Sequence, residues 1–181
     1  ARALVSDKKS NDVKVVVIGG GTGSFVVLSG LKKYVHNITA LVSMADDGGS
    51  TGQLRDELGV LPPGDARQCL VALSDSPKLR DLFNYRFDDG ALKGHAFGNL
   101  FLTALEKMSG SFVDAVEQAS QVLAITGRVE PITLDKTHLT ITTPDGKVMK
   151  GQFTAVHGDF EGSQRPNVSL DSPASINPAA K

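Results

Sequence analysis

Gly19-Gly20-Gly21-Thr22-Gly23 follows directly on the β-branched run Val13 to Ile18. Backbone N–H groups that converge where a strand turns into a helix bind phosphate, and glycine keeps a Cβ out of the ligand's way. Thr22 and Ser24 add hydroxyl donors to that turn. The dinucleotide fingerprint G-x-G-x-x-G breaks at Ser24, and the phosphate loop G-x-x-x-x-G-K-[ST] is absent. The turn by itself therefore leaves an anion site and a plain tight connection both open.

A second polar cluster strengthens the anion reading. Asp46 and Asp47 are followed by Gly48-Gly49-Ser50-Thr51-Gly52 and then Arg55, all within nine positions of Asp46. An acidic side chain at the end of a second strand accepts hydrogen bonds from a ribose or holds a divalent cation. The bland alternative is a pair of solvated turn carboxylates. After Pro62-Pro63, Asp65 and Arg67 form a third group, in which Arg67 either forks onto a phosphate or pairs with Asp65. His95, with Gly94 before it and Gly98-Asn99 after it, opens a helix, so that its imidazole and Asn99 either face a ligand at the positive helix end or serve as cap and packing. His36, His138 and His157 are scattered, and no structural metal is expected. The nucleophile elbow G-x-S-x-G is absent, which leaves hydrolase chemistry without support.

These residues need a scaffold that brings them to one edge. Val13 to Ile18 is long enough for a fully buried strand, Phe25, Leu28, Leu31 and Val35 mark a helical stripe over Ser24 to Val35, and Ile38 to Met44 reads as a second strand. Such a βαβ unit is right-handed and parallel, and it places both glycine-rich turns at the carboxyl edge of the sheet. Helices are predicted at Ala66 to Ser74, Pro77 to Phe87 and His95 to Met108, and another from Ser111, whose spacing to Asp114 fits a capping box, up to Gly127. Leu139 to Thr143 and Lys147 to Phe153 flank Pro144-Asp145-Gly146 as an antiparallel ribbon. The expected architecture is α/β and Rossmann-like: a mainly parallel sheet with flanking helices and a C-terminal β-hairpin. Residues 1–12 are expected to be poorly ordered, 13–158 to form the ligand-binding domain and 159–181 a loop-rich tail.

Bulk properties exclude several classes. The chain has 181 residues, 40% of them hydrophobic, enough for one sizeable core. Nineteen basic and 20 acidic residues give a net charge of −1, which offers no footprint for nucleic acid. Cys69 is the single cysteine, so neither an internal disulfide nor a cysteine-based zinc cluster is available, and a reducing compartment follows. No signal peptide or membrane span is expected from the apolar stretches. Homo-oligomerisation is left open.

GGGTG at 19–23, ADDGGSTGQLR at 45–55, PPGDARQCLVAL at 62–73, YRF at 85–87 and GHAFGNL at 94–100 together resemble the gluconeogenesis factor family, which is similar in fold to 2-phospho-L-lactate transferase. The resemblance includes Asn37-Ile38-Thr39 and extends to Ile176-Asn177-Pro178-Ala179-Ala180. It implies a cytoplasmic protein that binds a UDP-activated amino sugar of the UDP-N-acetylglucosamine type and acts in carbon metabolism, cell-wall precursor supply and cell shape. The ligand-binding residues it implies are Gly20, Gly21, Thr22, Gly23, Asp46, Asp47, Gly49, Ser50, Arg55, Asp65, Arg67, His95, Asn99 and Asn177. The transferase relatives imply an alternative, movement of a phospholactyl-type group from a nucleotide donor to a deazaflavin precursor, with magnesium at Asp46. Gln53 and Gln68 depart from the family pattern, where a basic residue and an asparagine are expected. Family members run well beyond 181 residues, so part of the pocket is expected to lie outside this chain.

Overall fold

The computed structural model describes residues 10–151 and 165–181. Strand β1 (Ser10–Gly19), helix α1 (Gly21–Leu31) and strand β2 (Val35–Val42) form the predicted parallel βαβ unit, in register from Lys14 opposite Asn37 to Gly19 opposite Val42. The chain then runs through four helices before it returns to the sheet: α2 (Gly49–Leu58), α3 (Pro63–Leu73), α4 (Pro77–Asn84) and α5 (Phe97–Ser109). Helix α6 (Phe112–Leu123) leads into β3 (Arg128–Pro131), which pairs parallel to β2 and completes the order β1-β2-β3.

Local chemistry sets the helix ends. Ser111 Oγ accepts from the Asp114 N–H at 3.2 Å, the predicted cap of α6. Helix α5 stops at Gly110, whose φ of 73° closes its last turn. Helix α2 and strand β3 escaped the sequence pattern. The stretch GSTGQLRDEL carries one buried leucine, Leu54, and two glycines, too little periodicity to announce α2. Strand β3 is four residues long and ends in proline, tolerated because no further strand follows it on that side among the described residues.

The core lies between the sheet and the helices, with α3 at its centre. Cys69, Leu70, Val71, Ala72 and Leu73 are fully enclosed with Leu28, Val42, Leu102 and Leu123. Helix α3 packs on α1, α4, α5, α6, β2 and β3, so its polar first turn is carried into the interior along with its apolar remainder. The expectation of a fully buried first strand is corrected: Val16 and Ile18 are 56% and 70% exposed. Strand β1 is an edge strand in this sheet, and among the described residues no element covers its outward face.

The hairpin forms as predicted around Pro144-Asp145-Gly146, from β4 (Leu139–Thr142) and β5 (Val148–Lys150). Within the stretch read as a tail, β6 (Asn167–Leu170) adds antiparallel to β4. Asp171 binds it further by accepting from the His138 N–H at 2.9 Å. Most of the expected poorly ordered start, residues 1–9, lies outside the described residues.

Candidate functional site

Helix α3 begins with Pro63, and its first turn carries Gly64, Asp65 and, one turn on, Arg67. Because α3 is central, Asp65 and Arg67 are 6% and 8% exposed. The Asp65 carboxylate reaches the start of α1 and accepts from the Gly21 N–H. A Cβ on Gly20 would lie 1.9 Å from Asp65 Oδ2, so only glycine allows this approach. The protein's own carboxylate thus occupies the positive end of α1, where an external phosphate was expected. Burial pushes the Asp65 carboxyl up to about 6, the Asp46 charge adds to this, and the Gly21 N–H and Arg67 oppose it.

Arg67 tells the complementary story. Its Nε donates to Asn99 Oδ1 at 2.9 Å and its Nη1 donates to Asn84 Oδ1. Both acceptors are neutral amides, and no ion pair reaches Arg67 among the described residues. Burial is the main influence lowering its pKa, the neighbouring Arg86 charge adds to this, and the charges of Asp46 and Asp65 oppose it. Segments 85–87 and 94–97 lie antiparallel, with Phe87 N–H donating to His95 O at 3.0 Å and Phe97 N–H to Tyr85 O at 2.8 Å. This pairing brings Arg86 into the site, where its Nη1 donates to the Gly94 carbonyl.

Around Arg67 the hydrogen bonds run in a definite direction. A guanidinium only donates, so the Asn99 oxygen must face it and the Asn99 amide nitrogen must face away. That nitrogen donates to Ser50 Oγ at 3.1 Å. Ser50 Oγ is in turn 3.0 Å from His95 Nδ1, so its own proton is available to that nitrogen. If the hydroxyl donates there, the ring proton of neutral His95 is on Nε2.

Helix α2 starts beside this network. Its N-cap, Gly48, provides no side-chain cap; its N–H goes to Asp46 Oδ1 at 3.0 Å. A pocket of about 250 Å³ opens here, lined by Asp46, Gly49, Ser50, Arg67, Arg86 and Asn99, with Gln68 also on its wall. It combines a helix N-terminus with two guanidinium groups, the donor set that suits an anion.

The structure therefore brings Asp46, Gly49, Ser50, Arg67 and Asn99 to one pocket, with His95 joined to it through Ser50. Gly20 and Gly21 lie against Asp65, while Thr22 and Gly23 are exposed at the start of α1. Asp47 sits where Gly151, after β5, approaches its carboxylate. Two residues stand apart. Arg55 is in the last turn of α2 and pairs with Asp56 at 2.9 Å. Asn177 spends its side chain on the Pro131 carbonyl, at 2.9 Å, and on the Ala179 N–H. Arg86, Asn84 and Thr51 were not singled out by sequence reading. The adjacency of YRF to GHAFGNL was the available signal for Arg86, but it is created by strand-like pairing between the two segments. For a cation, no three His, Cys, Asp or Glu side chains converge among the described residues. Magnesium at Asp46 would find at most one further side chain of these types there.

Parallel sheet, glycine turn and polar residues at the carboxyl edge define an open α/β domain of the Rossmann-like class. Residues 15–178 match the family described as 2-phospho-L-lactate transferase CofD, and the chain belongs to that family. A relative from Thermoanaerobacterium thermosulfurigenes is 54% identical over 143 residues, covering 78% of this chain and 44% of the relative. The gluconeogenesis factor of Listeria monocytogenes is 49% identical over 147 residues, 80% of this chain and 46% of its own length. The chain thus spans less than half of either relative. A crystal structure of a Bacillus halodurans protein superposes with a TM-score of 0.82 at 39% identity, covering 95% of this chain and 54% of that one. No helix among the described residues is long and apolar enough to cross a membrane.

Proposed function

We propose that this chain is the ligand-binding part of a cytoplasmic regulator of carbon metabolism that senses a UDP-activated amino sugar, with effects on cell-wall precursor supply and cell shape. The observation that carries the reading is Arg67: a buried guanidinium held by two asparagine oxygens, with no ion-pair partner among the described residues, at the start of α2 and beside Arg86. Burying a charge is costly, the charges of Asp46 and Asp65 offset only part of the cost, and an anionic ligand is the simplest further compensation. The name of the Listeria monocytogenes relative supports the metabolic role. In this arrangement the diphosphate lies at the N-terminus of α2 rather than that of α1, which Asp65 already satisfies.

Calorimetric titration with UDP-N-acetylglucosamine, against GDP and NAD, with and without magnesium, tests this reading. Selective heat for the UDP sugar is expected. Equal or absent heat for all three, in this chain and in the full-length protein, rejects it.

A second reading, transfer of a phospholactyl-type group from a nucleotide donor to a deazaflavin precursor, is favoured by the family description and by the Ser50 to His95 contact, a hydroxyl and a base within hydrogen-bond reach. Release of nucleoside monophosphate from the donor separates the two.

A further inference from the structure

A second pocket adjoins the first across a single peptide bond. Asp46 lines the cationic pocket, and its neighbour Ala45 lines an apolar one of about 280 Å³, whose walls are Met44, Ile132, Leu139, Leu170 and Ile176. Its floor lies at the carboxyl ends of β2 and β3. Ile132 N–H donates to the Val42 carbonyl and Asn177 N–H to the Ile132 carbonyl, at 3.0 and 2.9 Å, which extends the sheet edge and sets Ile176 at the rim.

Of the four residues on these walls that carry a hydroxyl, Ser43, Thr133 and Thr137 already bond within the protein, and Ser175 is the fourth. Ser43 Oγ accepts from the Ala45 N–H, Thr133 Oγ1 accepts from the Asp135 N–H, and Thr137 Oγ1 donates to Asp171 and the Ser172 carbonyl. What remains besides the Ser175 hydroxyl is an apolar surface, and at its mouth Leu170 and Ile176 are 46% and 58% exposed. The volume is near the lower end of small-molecule sites, about 300 Å³, which suits one ring system. In open α/β sheets, ligands lie in the crevice outside the carboxyl ends of the strands. With Asp46 on the wall of one pocket and Ala45 on the wall of the other, the two are one residue apart along the chain.

We propose that the apolar pocket takes the planar base of a nucleotide whose phosphates lie at the start of α2, so that the ligand straddles Asp46. The proposal rests on the phosphate reading above and adds to it the ring's place and the residues that hold it. Base recognition here is by shape and apolar contact, so that selection among bases is by ring size and fit.

Affinities of inorganic pyrophosphate and UDP, measured on the intact protein with and without Leu170→Ser and Ile176→Ser, test it. Both positions are half exposed, so the fold is expected to survive, which circular dichroism checks. The expected result is that UDP binds more tightly than pyrophosphate, and that the double variant weakens UDP about 10-fold and leaves pyrophosphate unchanged. Unchanged UDP affinity in the double variant, with pyrophosphate still bound, overturns the ring site while the phosphate reading stands. A shift in oligomeric state on sedimentation without loss of UDP affinity overturns it in favour of a second copy covering the pocket. If wild-type protein binds neither pyrophosphate nor UDP, the phosphate reading fails and this one with it.

Discussion

Arg67 Nε donates to Asn99 Oδ1 at 2.9 Å, joining the central helix α3 to the start of α5 across 32 positions of sequence. The bond links a buried charge to a neutral amide, an arrangement suited to holding a cation ready for something else.

Replacing that cation separates binding from folding. Arg67→Met keeps the aliphatic stem and removes the buried charge, but it strands the Asn99 oxygen, so it is expected to cost about 1–3 kcal/mol of stability while the fold survives. The same change is expected to weaken the nucleotide at least 10-fold. Thermal melting and calorimetry on one preparation check both. Wild-type affinity in a variant that still melts cooperatively would falsify the view that Arg67 serves the ligand.

Asp65 predicts a pH dependence of definite sign. Its carboxyl is raised from 3.8 to about 6 by burial, with help from Asp46. It therefore holds its proton more tightly in the folded state. Its contribution to stability is fully present below about pH 4 and is lost as the pH rises through 6. The gap corresponds to about 3 kcal/mol. Relative to wild type, Asp65→Asn is expected to gain stability between pH 4 and 7; urea unfolding at both values measures it, and a constant difference rules the coupling out.

Gly64 is where α3 touches the α2 loop. A Cβ there would lie 2.3 Å from Thr51 Oγ1 and 2.4 Å from Asp46 Oδ2. Gly64→Ala is expected to push both side chains out of place, costing about 1–3 kcal/mol and most of the ligand affinity. Wild-type affinity in this variant would show that neither side chain needs its present position.

Ser50→Ala removes the middle of the hydrogen-bond chain. It leaves the Asn99 amide, which is 2% exposed, without that acceptor, at a cost of about 1–3 kcal/mol. In wild type the His95 proton is expected on Nε2, visible in nitrogen NMR of the imidazole; in the variant this preference weakens. An unchanged tautomer ratio means that Ser50 does not set it.

Much of the fold is legible in local pattern. The run VKVVVI into GGGTG marks a strand turning into a helix, Ser111 with Asp114 marks a cap, and Pro144-Asp145-Gly146 marks a hairpin; each forms near its expected place. Where pattern is thin, the reading is thin: α2 hides among glycines, and β3 and β6 are four residues each, shorter than the period-2 signal needs.

For the candidate site, residue types alone named Asp46, Ser50, Asp65, Arg67, His95 and Asn99, because each sits in or within three residues of a glycine- or proline-marked turn. Those types could not decide what Arg67 pairs with, since Asp65 is two positions away on the same helix and residues so spaced point to different faces. Packing decided it: α3 runs through the core, so Asp65 turns to the glycine turn of α1 while Arg67 turns to Asn84, Asn99 and the start of α2. The sequence alone determined which groups are present; only the tertiary structure, by choosing which face of a buried helix meets which neighbour, decided that the carboxylate fills one helix end and the guanidinium waits at the other.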